Sequence, residues 1–166
     1  VVVEAGAGTA ASYPDADYAA AGATIAKSVQ DAIGGADILF KVRAPVDEEI
    51  AALKAGAIVA ATLNPYVEKD ALKALADKGA TAFAMEFVPR ITRAQVMDVL
   101  SSQANLAGYR AVIEGAEAYG KALPMMMTAA GTVAAAKVFV MGVGVAGLQA
   151  IATARRQGAV VTATDV

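Results

Sequence analysis

The chain has 166 residues, 57% of them hydrophobic and 18% charged, with a formal net charge of −2. That is the composition of a folded globular protein rather than a disordered one, and an acidic balance without any Lys/Arg block excludes the electrostatic footprint of a nucleic-acid binder. The absence of Cys and His removes disulfide scaffolds, zinc sites of the usual types, thiol nucleophiles and His-based acid–base catalysis, so no metal site is expected.

Val1 to Glu4 reads as a buried strand. The following Gly6-Ala7-Gly8-Thr9-Ala10-Ala11 nearly matches a phosphate-binding loop, but it runs straight into Ser12-Tyr13-Pro14-Asp15, so no helix is expected to begin at its second Gly. A helix is predicted through Tyr18 and Gly22 to about Val29, then a strand over Asp37 to Val42. After Pro45, the acidic run Asp47-Glu48-Glu49 marks a helix N-terminus, and Ala57 to Leu63 is a buried strand ended by Pro65. A helix from about Val67 to Ala76 stops at Lys78-Gly79, and Thr81 to Glu86 is a fourth strand. Short apolar strands alternating with helices predict the α/β class, with a mostly parallel sheet covered on both faces.

From Thr92 to about Gly120 the pattern changes to one long helix, with Val96, Leu100, Ala104, Ala107 and Ala111 spaced by three and four. It is expected to connect two domains. Between Lys121 and Arg155 the one charged side chain is Lys137, but Pro124, Gly131, Gly142, Gly144 and Gly147 interrupt the run, leaving no clean apolar stretch of about 20 residues for a membrane span. The chain opens at Val1 without an initiator Met or signal sequence and closes at Val166 just after a strand, the pattern expected of a fragment.

Lys137 to Met141 is a strand leading into Gly142-Val143-Gly144-Val145-Ala146-Gly147, and Leu148 to Gln157 continues as a helix before a strand over Ala159 to Thr164. This is G-x-G-x-x-G in its strand–turn–helix context: Gly142 for the tight turn, Gly144 for approach of a pyrophosphate, Gly147 for helix–strand packing. Asp165 falls about 20 residues onward, where an acid accepts from the adenosine ribose hydroxyls and favours NAD(H) over NADP(H). The alternative is that the glycines merely permit close packing.

Polar residues also gather at the start of the long helix, where Gln95, Asp98 and Ser102 share one predicted face and Ser101 lies three residues beyond Asp98. With Arg90 they offer a guanidinium, an amide, a carboxylate and hydroxyls suited to a carboxamide such as that of nicotinamide. The same residues also read as helix-start chemistry, with Thr92-x-x-Gln95 as a capping box and Asp98 complementing the helix dipole.

The segments Ser101 to Val112, Pro124 to Thr132 and Gly142 to Ala150 resemble the NAD(H)-binding domain of the alpha subunit of proton-translocating NAD(P) transhydrogenase, and the similarity runs the whole chain, densest from Met85 onward. The resemblance implies two Rossmann-like doubly wound parallel-sheet domains joined by a long helix, both truncated here: residues 1–91 as the first domain without its opening strand and helix, 92–121 as the connector, and 122–166 as the start of the dinucleotide domain. It implies that Arg90, Gln95, Asp98 and Ser101 surround the nicotinamide ring. It likewise implies that Gly142, Gly144, Val145, Ala146, Gly147 and Asp165, with Thr128, Ala129 and Gly131, hold the rest of NAD(H). Hydride transfer to NADP(H) on a partner domain, coupling to proton movement through a membrane domain, NADPH regeneration, pairing of the domain as a homodimer, and a peripheral place on the cytoplasmic face of the inner membrane are its further implications.

Alanine dehydrogenases share the architecture, and Lys41-Val42-Arg43-Ala44-Pro45 resembles their strand end at which a Lys holds the substrate carboxylate. Their later acid–base His has no counterpart in Ala60-Ala61-Thr62-Leu63-Asn64-Pro65, and Lys41 reads equally as a structural surface cation. A noncatalytic dinucleotide-sensing module is the third reading.

Overall fold

The structure is a computed structural model that describes residues 1–166. The chain divides into two compact units, Val1–Ile91 and Thr92–Val166.

In the first unit, β1 (Val2–Glu4) and β2 (Thr24–Ala26) form a parallel pair around the short helix α1 (Asp15–Ala20). The Ala-rich segment expected to stay helical to Val29 leaves the helix at Ala20 instead, because Thr24 and Ile25 pair with Val2 and Val3; pairing of β-branched residues overrides a weak helical preference. The Gly6–Gly8 loop carries a 3₁₀ turn over Thr9–Ala11 rather than an α-helix, and its Gly6 N–H is already given to Asp15 Oδ1 at 2.8 Å.

After α2 (Val29–Ile33), β3 (Ile38–Arg43), α3 (Asp47–Ala52), β4 (Ile58–Thr62), α4 (Lys69–Asp77) and β5 (Thr81–Ala84) build a parallel sheet in the order β3–β4–β5. Ile33, Ile50, Leu53 and Leu75 come from or beside the three helices and close on Val59 and Ala61 of β4. All three helices therefore cover the same face. Phe40, Val42 and Phe83 on the other face are exposed, so the expected covering of both faces holds for one.

Lys41 lies on the inward side of β3. Its ammonium forms an ion pair with Glu49, which is only 6% exposed and whose Oε2 also accepts the Val46 N–H at 2.7 Å. The cation thus ties the end of β3 to the first turn of α3.

In the second unit, Thr92–Met97 is a 3₁₀ turn and α5 runs over Val99–Tyr119, so the long helix begins seven residues later than its apolar spacing predicts. The hairpin β6 (Met126–Thr128) and β7 (Gly131–Val133) forms its own antiparallel sheet. Next, β8 (Lys137–Met141) and β9 (Val160–Thr164) pair in parallel, linked by α6 (Val145–Arg156), which packs along α5. No helix is long and apolar enough to cross a membrane.

Replacing Glu49 by Ala strands the half-buried ammonium of Lys41 and is expected to lower the unfolding free energy by about 2 kcal/mol or more. Asp37→Ala breaks only the exposed pair with Lys54 and should cost no more than about 0.5 kcal/mol. Urea denaturation of the two variants checks the contrast.

Candidate functional site

The strand β8 ends at Met141, and Gly142 turns the chain at φ +95°, a left-handed conformation that favours glycine. Gly144 is the N-cap of α6, and no side chain caps that helix, so its first N–H groups have neither intrahelical nor side-chain partners. A Cβ at Gly147 would lie 1.8 Å from the Gly142 carbonyl oxygen, whereas a Cβ at Gly144 would meet nothing within 4 Å. The third glycine is therefore required by packing, and the second leaves the approach to the helix start clear. Val145 and Ala146 are the first two residues of that helix.

Asp165, just past β9, reaches back over this loop. Its Oδ2 accepts the Val143 N–H and its Oδ1 the Val166 N–H, the latter at 2.8 Å. These two backbone donors, Val143 foremost, hold its carboxyl below the ordinary aspartate range.

Asp98 is the N-cap of α5. Its Oδ1 accepts the Ser101 N–H at 2.9 Å, its Oδ2 accepts the Ser101 hydroxyl at 2.6 Å, and its own carbonyl accepts from Ser102 Oγ at 3.2 Å. The cap expected at Thr92 with Gln95 is replaced by this one. Asp98 is 9% exposed, while Gln95 is exposed in the preceding 3₁₀ turn, where its carbonyl accepts the Asp98 N–H at 3.3 Å. The structure thus joins Asp98, Ser101 and Ser102 directly and Gln95 through its backbone. Arg90 belongs to the first unit and is exposed. Thr128, Ala129 and Gly131 sit at the exposed tip of the β6–β7 hairpin, where Thr128 Oγ1 accepts the Ala130 N–H at 3.2 Å.

Two features escape the sequence reading. One is Gly108 on α5, where a Cβ would lie 2.1 Å from the Ala146 carbonyl oxygen; beside it, Asn105 Nδ2 donates to Gln149 Oε1 at 3.1 Å. Its signal is a Gly inside an apolar helical pattern, which has a packing reason when a neighbour approaches closely. The other is an open cleft of about 580 Å³ at the carboxyl ends of β3 and β4, lined by Arg43, Asp47, Thr62, Asn64, Glu68 and Glu86 among others. None of the residues expected to bind a ligand lines it. Glu86 lies where the fourth strand is expected to continue, but the strand stops at Ala84 because the Glu86 carboxylate turns back to accept the Leu63 N–H at 3.1 Å and the Asn64 N–H at 2.6 Å.

The family model for the alanine dehydrogenase/PNT N-terminal domain matches residues 1–107, and that for the C-terminal domain matches residues 111–166. The chain belongs to the alanine dehydrogenase/PNT family. It is 55% identical, over its whole length, to an NAD(P) transhydrogenase subunit alpha chain of Rhodospirillum rubrum, covering 44% of that protein. It is 35% identical over 99% of its length to alanine dehydrogenase of Halomonas elongata, of which it covers 45%. The solved transhydrogenase from Sinorhizobium meliloti shares 62% identity and a TM-score of 0.95 over 100% of this chain and 49% of the other. An L-alanine dehydrogenase structure shares 27% identity and a TM-score of 0.84 over 98% of this chain and 45% of the other. The chain spans less than half the length of these relatives, and the transhydrogenases resemble it more than the alanine dehydrogenases do.

Burial raises the Glu86 pKa, but the hydrogen bonds from Asn64, its own backbone and Leu63 together outweigh it and leave the carboxyl below its ordinary value of 4.5. A depressed carboxylate contributes stability that is complete above that value and lost as pH falls through the lower, folded one. Glu86→Gln should therefore flatten the acid limb of a stability-against-pH curve below about pH 4.5 while leaving its slope near neutrality unchanged. Thermal melts across that range measure both.

Proposed function

We propose that this chain is the NAD(H)-binding part of the alpha subunit of a proton-translocating NAD(P) transhydrogenase. In this reading residues 1–91 are the first α/β domain, 92–121 the connector and 122–166 the opening of the dinucleotide domain. The observation that carries it is the glycine loop: an uncapped helix start behind an unobstructed second glycine, with an acid poised on the loop, in a chain 62% identical to a transhydrogenase.

The residues fit such a dinucleotide. The N–H groups and positive dipole end of α6, from Val145, Ala146 and Gly147, receive the pyrophosphate. A carboxylate has about four acceptor sites, so Asp165, having accepted Val143 and Val166, retains capacity for the ribose hydroxyls, and its charge repels the extra phosphate of NADP(H). Arg90, Gln95, Asp98 and Ser101 orient the nicotinamide carboxamide, and Thr128, Ala129 and Gly131 add contacts from the hairpin tip. Bound NADH supplies the hydride from C4 of its ring. The chain's own contribution would be positioning: by holding the ring rigidly, Arg90, Gln95, Asp98 and Ser101 would turn a bimolecular encounter with NADP⁺ on a partner domain into an effectively unimolecular step. The remaining parts of the reading are a homodimer of this domain, a peripheral place on the cytoplasmic face of the inner membrane, and a separate membrane domain that couples NADPH regeneration to proton movement.

The alanine dehydrogenase reading is disfavoured by the chemistry of the first unit. Oxidising an amino acid moves a proton along with the hydride and calls for an acid–base group, yet the strand end at Thr62-Leu63-Asn64-Pro65 carries no His and Lys41 is held by Glu49. Direct transfer between two nicotinamides requires no such group.

The test is the full protein that carries this chain, mixed with an NADP(H)-binding transhydrogenase domain, with reduction of an NADP⁺ analogue by NADH followed in the absence of amino or keto acids. Transfer that disappears when either component is omitted is expected. NADH binding without transfer, together with turnover of pyruvate and ammonia, would overturn the reading. In the same assay Asp98→Asn should slow transfer by about tenfold or more, and Asp165→Ala should weaken NADH binding; unchanged values assign the two acids to capping and loop closure alone.

A further inference from the structure

We infer that Gly108 is a positioning residue for the dinucleotide, setting the orientation of the peptide at the start of α6 through direct backbone contact. The inference rests on the dinucleotide reading proposed above. A Cβ at position 108 would come 2.1 Å from the Ala146 carbonyl oxygen, 2.8 Å from its carbonyl carbon and 3.0 Å from its Cα. An ordinary carbon–oxygen contact lies at about 3.3 Å, so even a methyl group requires α5 and α6 to part by about an ångström there.

The peptide involved is the one that matters most to the loop. A trans peptide points its C=O and N–H in opposite directions, so the group whose carbonyl faces Gly108 has as its other end the Gly147 N–H, one of the donors at the uncapped helix start. Gly147 is itself pressed against the Gly142 carbonyl, with 1.8 Å left for any Cβ. The peptide is therefore gripped from two sides, by the strand end at Gly142 and by α5 at Gly108. A side chain on α5 would displace the donor rather than merely loosen a helix pair. The Asn105–Gln149 hydrogen bond, continued from Gln149 Nε2 to Thr153 Oγ1 at 3.1 Å, fixes the two helices in the same register on that side.

The same helix carries an internal control. Gly115 lies two turns farther along α5, and a Cβ there would meet nothing within 4 Å. Asp98, ten residues before Gly108, caps the start of the same helix about 15 Å away. Gly108 and Asp98 are thus expected to act on different ends of the ligand.

The experiment measures binding of NADH and of ADP-ribose, which lacks the nicotinamide, by calorimetry on the full protein that carries this chain. Gly108→Ala should weaken both ligands by about tenfold or more, Asp98→Asn should weaken NADH alone, and Gly115→Ala should leave both within about twofold while raising thermal stability. Equal binding of both ligands by Gly108→Ala and wild type would overturn the inference, while failure of wild type to bind either ligand would overturn the dinucleotide reading instead. Should Gly108→Ala fail to fold, Asn105→Ala carries the test, with a loss of about threefold in ADP-ribose binding expected on the same grounds and unchanged binding overturning the inference.

Discussion

Backbone packed against backbone is the constraint on which the second unit depends. At Gly147 the first turn of α6 lies against the Gly142 carbonyl, and at Gly108 the long helix α5 lies against the Ala146 carbonyl. Neither approach tolerates a single carbon. Side chains can adjust by changing rotamer, but peptide groups in regular elements cannot, so contacts of this kind transmit position with little slack. The strand end, the helix start and α5 consequently behave as one assembly, and the open approach at Gly144 is a property of that assembly.

Carboxylates supply the second layer of rigidity. Asp15 holds the Gly6 N–H, Glu49 the Val46 N–H, Glu86 those of Leu63 and Asn64, Asp98 that of Ser101, and Asp165 that of Val143. Each sits in or beside a loop or a helix start, where backbone donors would otherwise lack partners. In a chain without His and Cys, these acids do by hydrogen bonding what metal sites or disulfides do elsewhere. The loops at the carboxyl ends of the strands, where open α/β sheets present their ligand sites, are therefore held in place by the chain's own carboxylates.

Much of this is legible in the sequence, and what is not has physical reasons. The strands β3, β4, β5 and β8 appear as short apolar runs between turn residues, and each is found within about a residue or two of its predicted place. The strand β2 is hidden because Ala-rich flanks carry a helical preference, and only its pairing with the distant β1 makes Thr24–Ala26 extended. The start of α5 is misread because Thr92-x-x-Gln95 has the spacing of a capping box; the structure puts the cap at Asp98, whose carboxylate takes two hydrogen bonds from Ser101. For the glycine loop, residue types and order suffice, since strand, turn and helix follow one another along the chain. Gly108 cannot be read the same way, because its reason for being glycine lies 38 positions downstream at Ala146.

Capping and ligand recognition look like competing explanations for Asp98, but physically one supports the other. A side chain that recognises a planar carboxamide must present its oxygen in a fixed direction, and an exposed aspartate on a helix surface rotates freely. Asp98 does not rotate: it is nearly buried, and the Ser101 N–H and hydroxyl restrain both of its oxygens. The hydroxyl bond adds a second constraint to an ordinary N-cap, fixing the plane of the carboxylate as well as its distance from the helix. In the proposed function, the cap is thus the device that makes Asp98 a usable contact. Weakening the cap and weakening nicotinamide recognition then become the same event seen from two ends of one side chain.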